Sequence, residues 1–445
     1  MDASPHVPDF GASPSRRVDI SFDNRGDRLI GLGVVNGILK ILTLGLYSFW
    51  AKTEVRRRLW SFTRFNGEPL EYTGTGKELF LGFLIVFGVV ILPVTLSGFA
   101  VALLFPGQKA ALSIYQAAIY LGFFLLVGNA MYRAQRYRLS RTQWRGIRGA
   151  LVGSPGRYGW TYFWTLAAPI TVIAIMAGAI AWSIGPQVGG AIMLAGLLAE
   201  LWILPWRSNK LQAIITSDMR FGDRPLSYTG KSGPLYKRYT FAWLGTAVVF
   251  VAAVFATSLY VLQSELYAQI LLKQFKPTLP DALAFAGIWL TAIILIGVIT
   301  AWYRATQMNH FAKHTHFEGA TFRGEATGKS LMWLVLSNWL LSVIGLLVGV
   351  LAAGTLIYLT GSVPTAPAVT GAAPDASAFR GLLALPPILI ITTLTATFAQ
   401  FRSARYFISR MKLDGPVNLG AIMQSSAASP KRGEGLAQVF DIDAF

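Results

Sequence analysis

The 445-residue sequence has no cysteine and few charged residues. The lack of cysteine excludes disulfide bonds and thiolate metal sites, although it does not identify a compartment. Only 13% of the residues are charged and 53% are hydrophobic, whereas soluble globular chains carry about 25% charged residues. This composition excludes an ordinary soluble domain and indicates a polytopic membrane protein.

The sequence also lacks the motifs of common enzyme classes. It has no phosphate-binding glycine loop, Ser nucleophile elbow or dinucleotide fingerprint, since the segment 73–77 (TGTGK) lacks the P-loop spacing. His310, His314 and His316 cluster, but neither an acidic motif nor a third ligand with zinc-enzyme spacing accompanies them. We interpret them as an interfacial basic cluster, and we expect no metal site, no cofactor and no enzymatic activity.

Eight apolar runs are long enough to cross a hydrocarbon core, which takes about 20 helical residues. The runs lie near residues 79–104, 110–131, 159–183, 187–206, 240–263, 282–303, 330–360 and 381–401. They form four pairs, and the loops within the pairs are short or not basic overall. The sequence therefore predicts an all-α polytopic membrane protein with eight transmembrane helices in four pairs.

The basic residues are concentrated between these pairs and before the first one. Of the 39 Lys and Arg residues, the exceptions are Lys40, Lys109, Lys273, Lys276 and Arg380. Basic loops are retained in the cytoplasm, so we predict that both termini and every segment between pairs are cytoplasmic. The net charge of +18 then has a membrane explanation, and we expect no nucleic-acid partner.

One motif recurs in the segments between pairs. Residues 64–74 (RFNGEPLEYTG) align with residues 220–230 (RFGDRPLSYTG), and looser copies lie at 144–153, 317–324 and 413–420. Asn-Gly and Gly-Asp favour tight turns with positive φ, so each copy predicts a short cytoplasmic β-hairpin. We interpret nine residues of the two close copies as structural, namely Phe65, Gly67, Pro69, Tyr72, Gly74, Phe221, Pro225, Tyr228 and Gly230.

The repeat divides a membrane domain at 21–423 into five units. The predicted units lie near residues 22–72, 72–152, 152–228, 228–322 and 322–420. Residues 1–20 and 424–445 are predicted to be flexible cytoplasmic tails.

The first unit is too short for two spans. Val18 to Asp23 resembles the second strand of a hairpin, which places the start of this unit on the cytoplasmic side. We therefore predict that Leu29 to Trp50 is a re-entrant or interfacial helical hairpin, bent at Asn36-Gly37 or at Thr43-Leu44-Gly45. The alternative is a ninth span.

A family resemblance is carried by Asn36 to Trp50, Ala51-Lys52, Arg56-Arg57-Arg58, Thr63, Gly67 and Tyr72. This pattern resembles the signature of the YjgN-like bacterial inner-membrane proteins, a domain-of-unknown-function family. Its strong part covers about residues 20–80, and the helix-pair organisation extends it to about residue 420. The resemblance implies a multi-pass inner-membrane protein and brings no substrate or catalytic residues.

Polar side chains within apolar segments are energetically expensive and are therefore candidates for function. Glu200 is a carboxylate in a clear spanning segment, suited to proton coupling or cation coordination. Lys40, Asn36 and Asn129 are further candidates for a polar path. Snorkelling to the interface and hydrogen bonds between helices are the competing structural interpretations.

Two functions from different classes fit these features. The first is a transporter or channel-like protein for a small solute or ion. The alternative is a non-catalytic scaffold or lipid-binding protein that docks anionic lipids or a cytoplasmic partner through its basic hairpins. The candidate headgroup contacts are Arg56, Arg57, Arg58, Arg136 and Arg138. The lipid bilayer, with anionic lipids at its cytoplasmic face, is the partner that the sequence predicts.

Overall fold

The structure is a computed structural model that describes residues 18–23, 29–272, 276–361, 376–427 and 429–430. The predicted tails lie mostly outside these residues. Eight helices within this part of the chain are long and apolar enough to span a membrane, which confirms the predicted fold class. The spans are Gly76–Leu104, Lys109–Arg141, Pro155–Ser183, Pro186–Asp218, Gly233–Gln263, Leu279–Lys313, Gly328–Thr360 and Ala384–Ser409.

Three of the spans contain a local change of helix type that coincides with a proline. The described helices are α1 (Leu29–Leu42), α2 (Ser48–Phe62), α3 (Gly76–Val86), α4 (Leu92–Leu104), α5 (Lys109–Arg141), α6 (Pro155–Tyr162), α7 (Ala168–Ser183), α8 (Pro186–Glu200), α9 (Leu204–Asp218), α10 (Gly233–Gln263), α11 (Leu266–Leu271), α12 (Leu279–Lys313), α13 (Gly328–Gly361) and α14 (Ala376–Ser409). A π-helical segment joins α3 to α4 and another joins α6 to α7, while a 3-10 turn joins α8 to α9. Pro93, Pro169 and Pro205 are the second residues after these segments. Because proline has no N–H and clashes with the preceding turn, the helix widens or tightens there while remaining one span.

The β-strands are short and follow the helix pairs. They are β1 (Ile20–Phe22), β2 (Thr63–Phe65), β3 (Glu68–Pro69), β4 (Glu71–Tyr72), β5 (Thr142–Trp144), β6 (Ile147–Leu151), β7 (Met219–Phe221), β8 (Arg224–Tyr228), β9 (Thr315–Phe317), β10 (Ala320–Gly324) and β11 (Met411–Asp414). The hairpin turns form at the predicted dipeptides, with positive φ at Asn66, Gly67 and Gly222. The hairpins predicted at the first four copies therefore exist. At the fifth copy, residues 413–420, the described chain forms only the strand β11, which pairs with β10 and Val18 instead of with a strand that follows it, so the hairpin predicted there is wrong.

The hairpins also join into one antiparallel β-barrel, which the sequence did not predict. Strands β4 to β11 pair in chain order, and β1, β2 and β3 pair in the same order. Leu70 alone separates β3 from β4, so the two sets are continuous. An antiparallel bridge between Val18 and Leu413 links the β1 end to β11 and closes the ring. Because the first and last strands of the sheet are linked, the barrel has no edge strand that could pair with another chain.

Each of five units runs from a strand through two helical segments to a second strand. We call these the entering strand and the leaving strand. The two strands of one unit pair with each other, as in Ile20 with Phe65 and Tyr72 with Thr142. The same pairing joins β6 to β7, β8 to β9 and β10 to β11. Every unit therefore begins and ends at the barrel.

The helices form a ring on one side of the barrel. Within units, α4 packs against α5, α7 against α8, α10 against α12 and α13 against α14. Between units, α2 contacts α3, α5 contacts α6, α9 contacts α10, and α12 contacts α13. The ring closes because α14 packs extensively against α1.

The first unit enters the ring of helices and returns. Its helix α1 has 14 residues, which rise only about 21 Å, less than the roughly 30 Å hydrocarbon core. Both its strands lie side by side in the barrel, so the unit returns to the side from which it started. The bend lies at Leu44 and Gly45, where φ is 50° and 88°. Asn36-Gly37, the other predicted bend, lies inside α1 and is buried.

Candidate functional site

The third residue of each leaving strand is apolar and lines the barrel. The third residue of each leaving strand occupies equivalent positions, namely Phe65, Trp144, Phe221, Phe317 and Leu413. The first four rings follow one another around the lumen with centroids 6.4, 6.2 and 6.3 Å apart. Side chains of a strand alternate between its two faces, so the neighbouring Lys412 is exposed. The repeat therefore gives the barrel a lumen lined by aromatic rings.

The lumen is a cavity of about 230 Å³. Its accessible lining consists of apolar atoms, contributed by side chains such as Leu70, Leu226 and Phe322. Leu139 enters it from the helix side, and Gly149 makes room, since a Cβ at Gly149 would lie 2.6 Å from the Leu139 Cδ1 atom. Leu419 borders it near the hairpin turns.

The chain after β11 covers the end of the barrel that carries the hairpin turns. We call residues 416–427 and 429–430 the C-terminal segment. Its side chains Val417 and Ile422 are buried in one cluster with Phe317 and Leu413. The backbone N–H of Asp223 donates to the Met423 carbonyl at 3.0 Å.

Two further contacts hold the C-terminal segment at the second hairpin. Gln424 Nε2 donates to the Gly146 carbonyl at 2.7 Å, and an Arg148 nitrogen donates to the Ser425 carbonyl at 3.2 Å. The segment therefore crosses the mouth from one hairpin turn to the next. In this conformation the segment covers that end of the lumen.

At the other end of the barrel, helix side chains hold the second residue after four of the five entering strands. Arg57 donates to the Gly74 carbonyl at 2.9 Å, and Arg136 donates to the Gly153 carbonyl. Two asparagines perform the same role: Asn209 Nδ2 donates to the Gly230 carbonyl at 3.1 Å, and Asn309 Nδ2 donates to the Ala326 carbonyl at 2.7 Å. We call these four contacts the latches, and they fix the helix ends on the barrel.

The structure explains why the repeat motif contains Tyr-x-Gly. A Cβ at Gly74 would lie 2.7 Å from the Tyr72 ring, so only glycine lets the tyrosine fold back at this position. Tyr228 is placed in the same way over Gly230 and donates to Asn209 Oδ1 at 2.7 Å. Burial raises the pKa of Tyr228 to about 12.

The two prolines of the motif set the start of the next pairing. In a two-residue hairpin Pro69 lies opposite Arg64, and its nitrogen faces the adjacent strand. Since proline has no N–H, pairing with β5 begins only at Glu71. Pro225 lies opposite Arg220, and pairing with β9 likewise begins only after the proline, at Leu226.

The arginines predicted to contact headgroups differ in exposure. Arg56 and Arg138 are each only 7% exposed. Arg56 donates to the Tyr72 hydroxyl at 3.4 Å. Arg57 and Arg136 belong to the latches, while Arg58 is half-buried. Headgroup contact stays a prediction for this set.

The predicted intramembrane polar residues lie on three different helices. Asn36 and Lys40 are on α1, and Asn36 is 1% exposed with an Nδ2 atom that has no hydrogen-bond partner. Asn129 is on α5 and donates to the Leu125 carbonyl at 3.1 Å. Glu200 ends α8, with a buried Oε1 atom that lacks a partner. No hydrogen bond or ion pair between any two of them occurs in the described part of the chain.

The histidines serve different contacts. His316, in β9, lies 3.0 Å from Thr229 Oγ1 and 2.9 Å from Thr321 Oγ1, so it links the strands on both sides. The rings of His310 and His314 are 4.3 Å apart. Among the described residues no group of three His, Cys, Asp or Glu side chains has an arrangement that could hold a metal ion.

A family model described as "Bacterial protein of unknown function (DUF898)" matches residues 17–439. The chain belongs to this family. The inner membrane protein YjgN of Salmonella typhimurium strain LT2 is 26% identical to it over 185 residues. That match covers 41% of this chain and 44% of the relative's length, so the chain matches less than half of that protein. No solved structure matches the chain.

For this DUF898 family member, the lumen residues were missed at the sequence level. Phe65 and Phe221 were assigned a structural role in the motif, whereas Trp144, Phe317 and Leu413 stood only in the looser copies. The available signal was the position rather than the residue type, because all five occupy the third place of a leaving strand. The role of the C-terminal segment had no sequence signal.

Proposed function

We propose that the chain is a non-catalytic, transporter or channel-like protein of the bacterial inner membrane. The barrel lies on the cytoplasmic side in this proposal, together with both termini. The bias of Lys and Arg toward the barrel side supports this orientation. The name of the Salmonella relative, an inner membrane protein, supports a location in the inner membrane.

The closed ring of units is the observation that carries the proposal. Each span packs mainly against its neighbours in the ring. In the apolar stretch of each described span, at most 22% of the residues are buried inside the protein. A helix in such a single layer has one face toward lipid and one toward the axis. We propose that the path follows the axis of this ring.

The barrel would act as the gate of this path. Apolar constrictions close a channel by excluding water, and the lumen has an apolar lining. The C-terminal segment closes the same end through Val417, Ile422 and the contact of Met423 with Asp223. The described conformation therefore corresponds to a closed state.

Flux through proteoliposomes tests the proposal. A chain that lacks residues 416–445 is expected to release entrapped glycerol and carboxyfluorescein faster than the full chain. The matched control lacks only residues 431–445 and keeps every contact that the C-terminal segment makes with Gly146, Arg148 and Asp223. We expect the control to equal the full chain. Flux at the level of empty liposomes for both deletions would remove the support for a gated path.

The lipid-binding alternative rests on the accessible arginines. The Arg57 side chain is 47% exposed despite its latch contact, and Arg58 is half-buried. If these side chains bind anionic lipid, the variant with both Arg57→Gln and Arg58→Gln will retain less cardiolipin after purification than the full chain. Equal retention, measured by lipid mass spectrometry, would count against this function.

A further inference from the structure

We propose that the barrel lumen is a binding site for a single hydrocarbon chain. The idea that such a chain is also the molecule transported rests on the proposed function. The binding site itself does not rest on it, because the site is inferred from the lining of the lumen alone. The site comprises the rings of Phe65, Trp144, Phe221 and Phe317, together with Leu226.

In the closed conformation described, the chemistry of the lining disfavours polar ligands as occupants of this site. The accessible lining is apolar throughout, so an ion or a polar headgroup would lose its hydration without gaining hydrogen bonds. Such a transfer is strongly unfavourable. An apolar ligand loses nothing of this kind and gains contacts with the aromatic rings.

The size of the lumen favours an apolar occupant over water. An engineered apolar cavity of about 150 Å³ stays dry and binds benzene or xenon. At about 230 Å³ the lumen is larger, and water in it would lack polar partners. A space of this kind is stabilised when an apolar molecule fills it.

The position of the lumen favours a chain over a compact molecule. Leu139, on a helix that continues as a membrane span, borders it on the helix side, and Leu419 borders it at the opposite end. The cavity therefore extends along the barrel axis, between the spans and the C-terminal segment. Hydrocarbon chains are abundant on the side of the spans, where a phospholipid tail or a free amphiphile could supply one.

Photolabelling in nanodiscs tests the site. The full chain is exposed to a dodecyl diazirine, and in a parallel arm to a phospholipid that carries the diazirine at the end of one acyl chain. Labelled peptides are identified by mass spectrometry. We expect labels on the strands that carry Trp144, Phe221 and Leu226, and on the C-terminal segment. Labels from the phospholipid probe would identify a lipid tail as the source; labels from the free probe alone would identify a free amphiphile.

Adjacent substitutions on one strand provide the control. Leu226→Trp fills the lumen and is expected to abolish lumen labelling, whereas Ser227→Trp, on the exposed face of the same strand, is expected to leave it unchanged. Two single substitutions in β11 give a second pair: Leu413→Trp fills the lumen, and Lys412→Trp on the exposed face is its control. Size-exclusion profiles and thermal unfolding establish that each variant is folded.

Two outcomes would overturn the inference. One is labelling restricted to the membrane spans in both arms. The other is strand labelling that both folded filling variants, Leu226→Trp and Leu413→Trp, leave unchanged. Flux of glycerol and dye at the level of empty liposomes in both deletions, together with intact lumen labelling, would instead refute the proposed transport and keep the site.

Discussion

The first unit and the other four units share their strands but differ in their helices. All five contribute an entering and a leaving strand to the barrel, with the third residue of each leaving strand in the lumen. In the first unit, however, the helical part returns after the short helix α1. The comparison teaches that the barrel needs the strands and the helix ends, whereas complete spans are dispensable in one of five positions.

The first unit nonetheless completes the ring of helices. Gly33 and Gly37 of α1 face α14, and a Cβ at Gly37 would lie 2.9 Å from the Ile390 Cα atom. On its other side α14 receives Gly349 of α13, whose Cβ would lie 3.0 Å from the Ile388 Cα atom. Helix α14 is therefore held between two helices that approach it through glycine, and α1 takes the place of a span.

The largest expected effect is an all-or-none difference in labelling. The chain has no cysteine, so single cysteines report topology directly. Leu44, in the bend of the first unit, and Gln108, in the loop between α4 and α5, are both exposed. An impermeant maleimide added outside spheroplasts is expected to label Gln108→Cys and not Leu44→Cys. Labelling of Leu44→Cys from outside would mean that the first unit crosses the membrane.

A large loss of stability is expected where α1 meets α14. Gly37→Leu places a side chain against the backbone of Ile390, and overpacking of this kind costs about 1–3 kcal/mol. Gly31→Leu is the matched control in the same helix, since nothing lies within 4 Å of a Cβ there. Thermal unfolding in detergent should show a lower Tm for Gly37→Leu alone. Equal Tm values would contradict the α1–α14 contact.

The latches should differ between the first unit and the fourth. Asn309 both donates to and accepts from the Ala326 backbone, at 2.7 and 3.0 Å. Asn309→Leu leaves two backbone groups unpaired, and loss of such pairing costs about 1–3 kcal/mol. Arg57 is 47% exposed, so water can replace it at Gly74 in Arg57→Leu. Urea unfolding should show a larger loss of free energy of unfolding for Asn309→Leu than for Arg57→Leu, with Gln307→Leu as a control. The reverse order would refute this view of the latches.

The smallest expected effect concerns the turns that join the first three units. The Arg145 guanidinium hydrogen-bonds Glu68 and lowers the pKa of that carboxyl below its ordinary value. A lowered folded-state pKa contributes stability at pH values above the unfolded-state pKa, and this contribution is lost as the pH falls through the folded-state value. The Tm difference between the wild type and Glu68→Gln should therefore be small and positive at pH 7 and vanish well below pH about 4.3. A difference that grows on acidification would contradict this assignment.

The sequence contained the local features of this fold. Eight spans follow from hydropathy, and the turns at Asn66-Gly67 and Gly222-Asp223 follow from residue types that tolerate positive φ. The return of the first unit followed from its length and from the strand near Val18. Each of these signals lies within a few neighbouring residues or one helix.

The barrel and the lumen depend on contacts between distant residues. The strands of one unit pair across an entire helical pair, as Tyr72 does with Thr142, and no local pattern specifies such a partner. Residue type was also a poor guide to the polar candidates. Glu200, Asn129 and Asn36 were chosen because they are polar within apolar runs, yet the direction each faces depends on helix packing, which the sequence does not reveal.

The bridge between Val18 and Leu413 has a consequence for biosynthesis. The strand β1 emerges from the ribosome before any span, whereas its neighbour β11 emerges after the last one. Until β11 arrives, β1 keeps an unpaired edge, and such edges promote pairing with other chains. Contacts between distant parts of a chain also form slowly. Barrel closure is therefore expected to be a late step that only a fully inserted chain can complete, and a chaperone or the membrane surface would have to protect β1 in the interval.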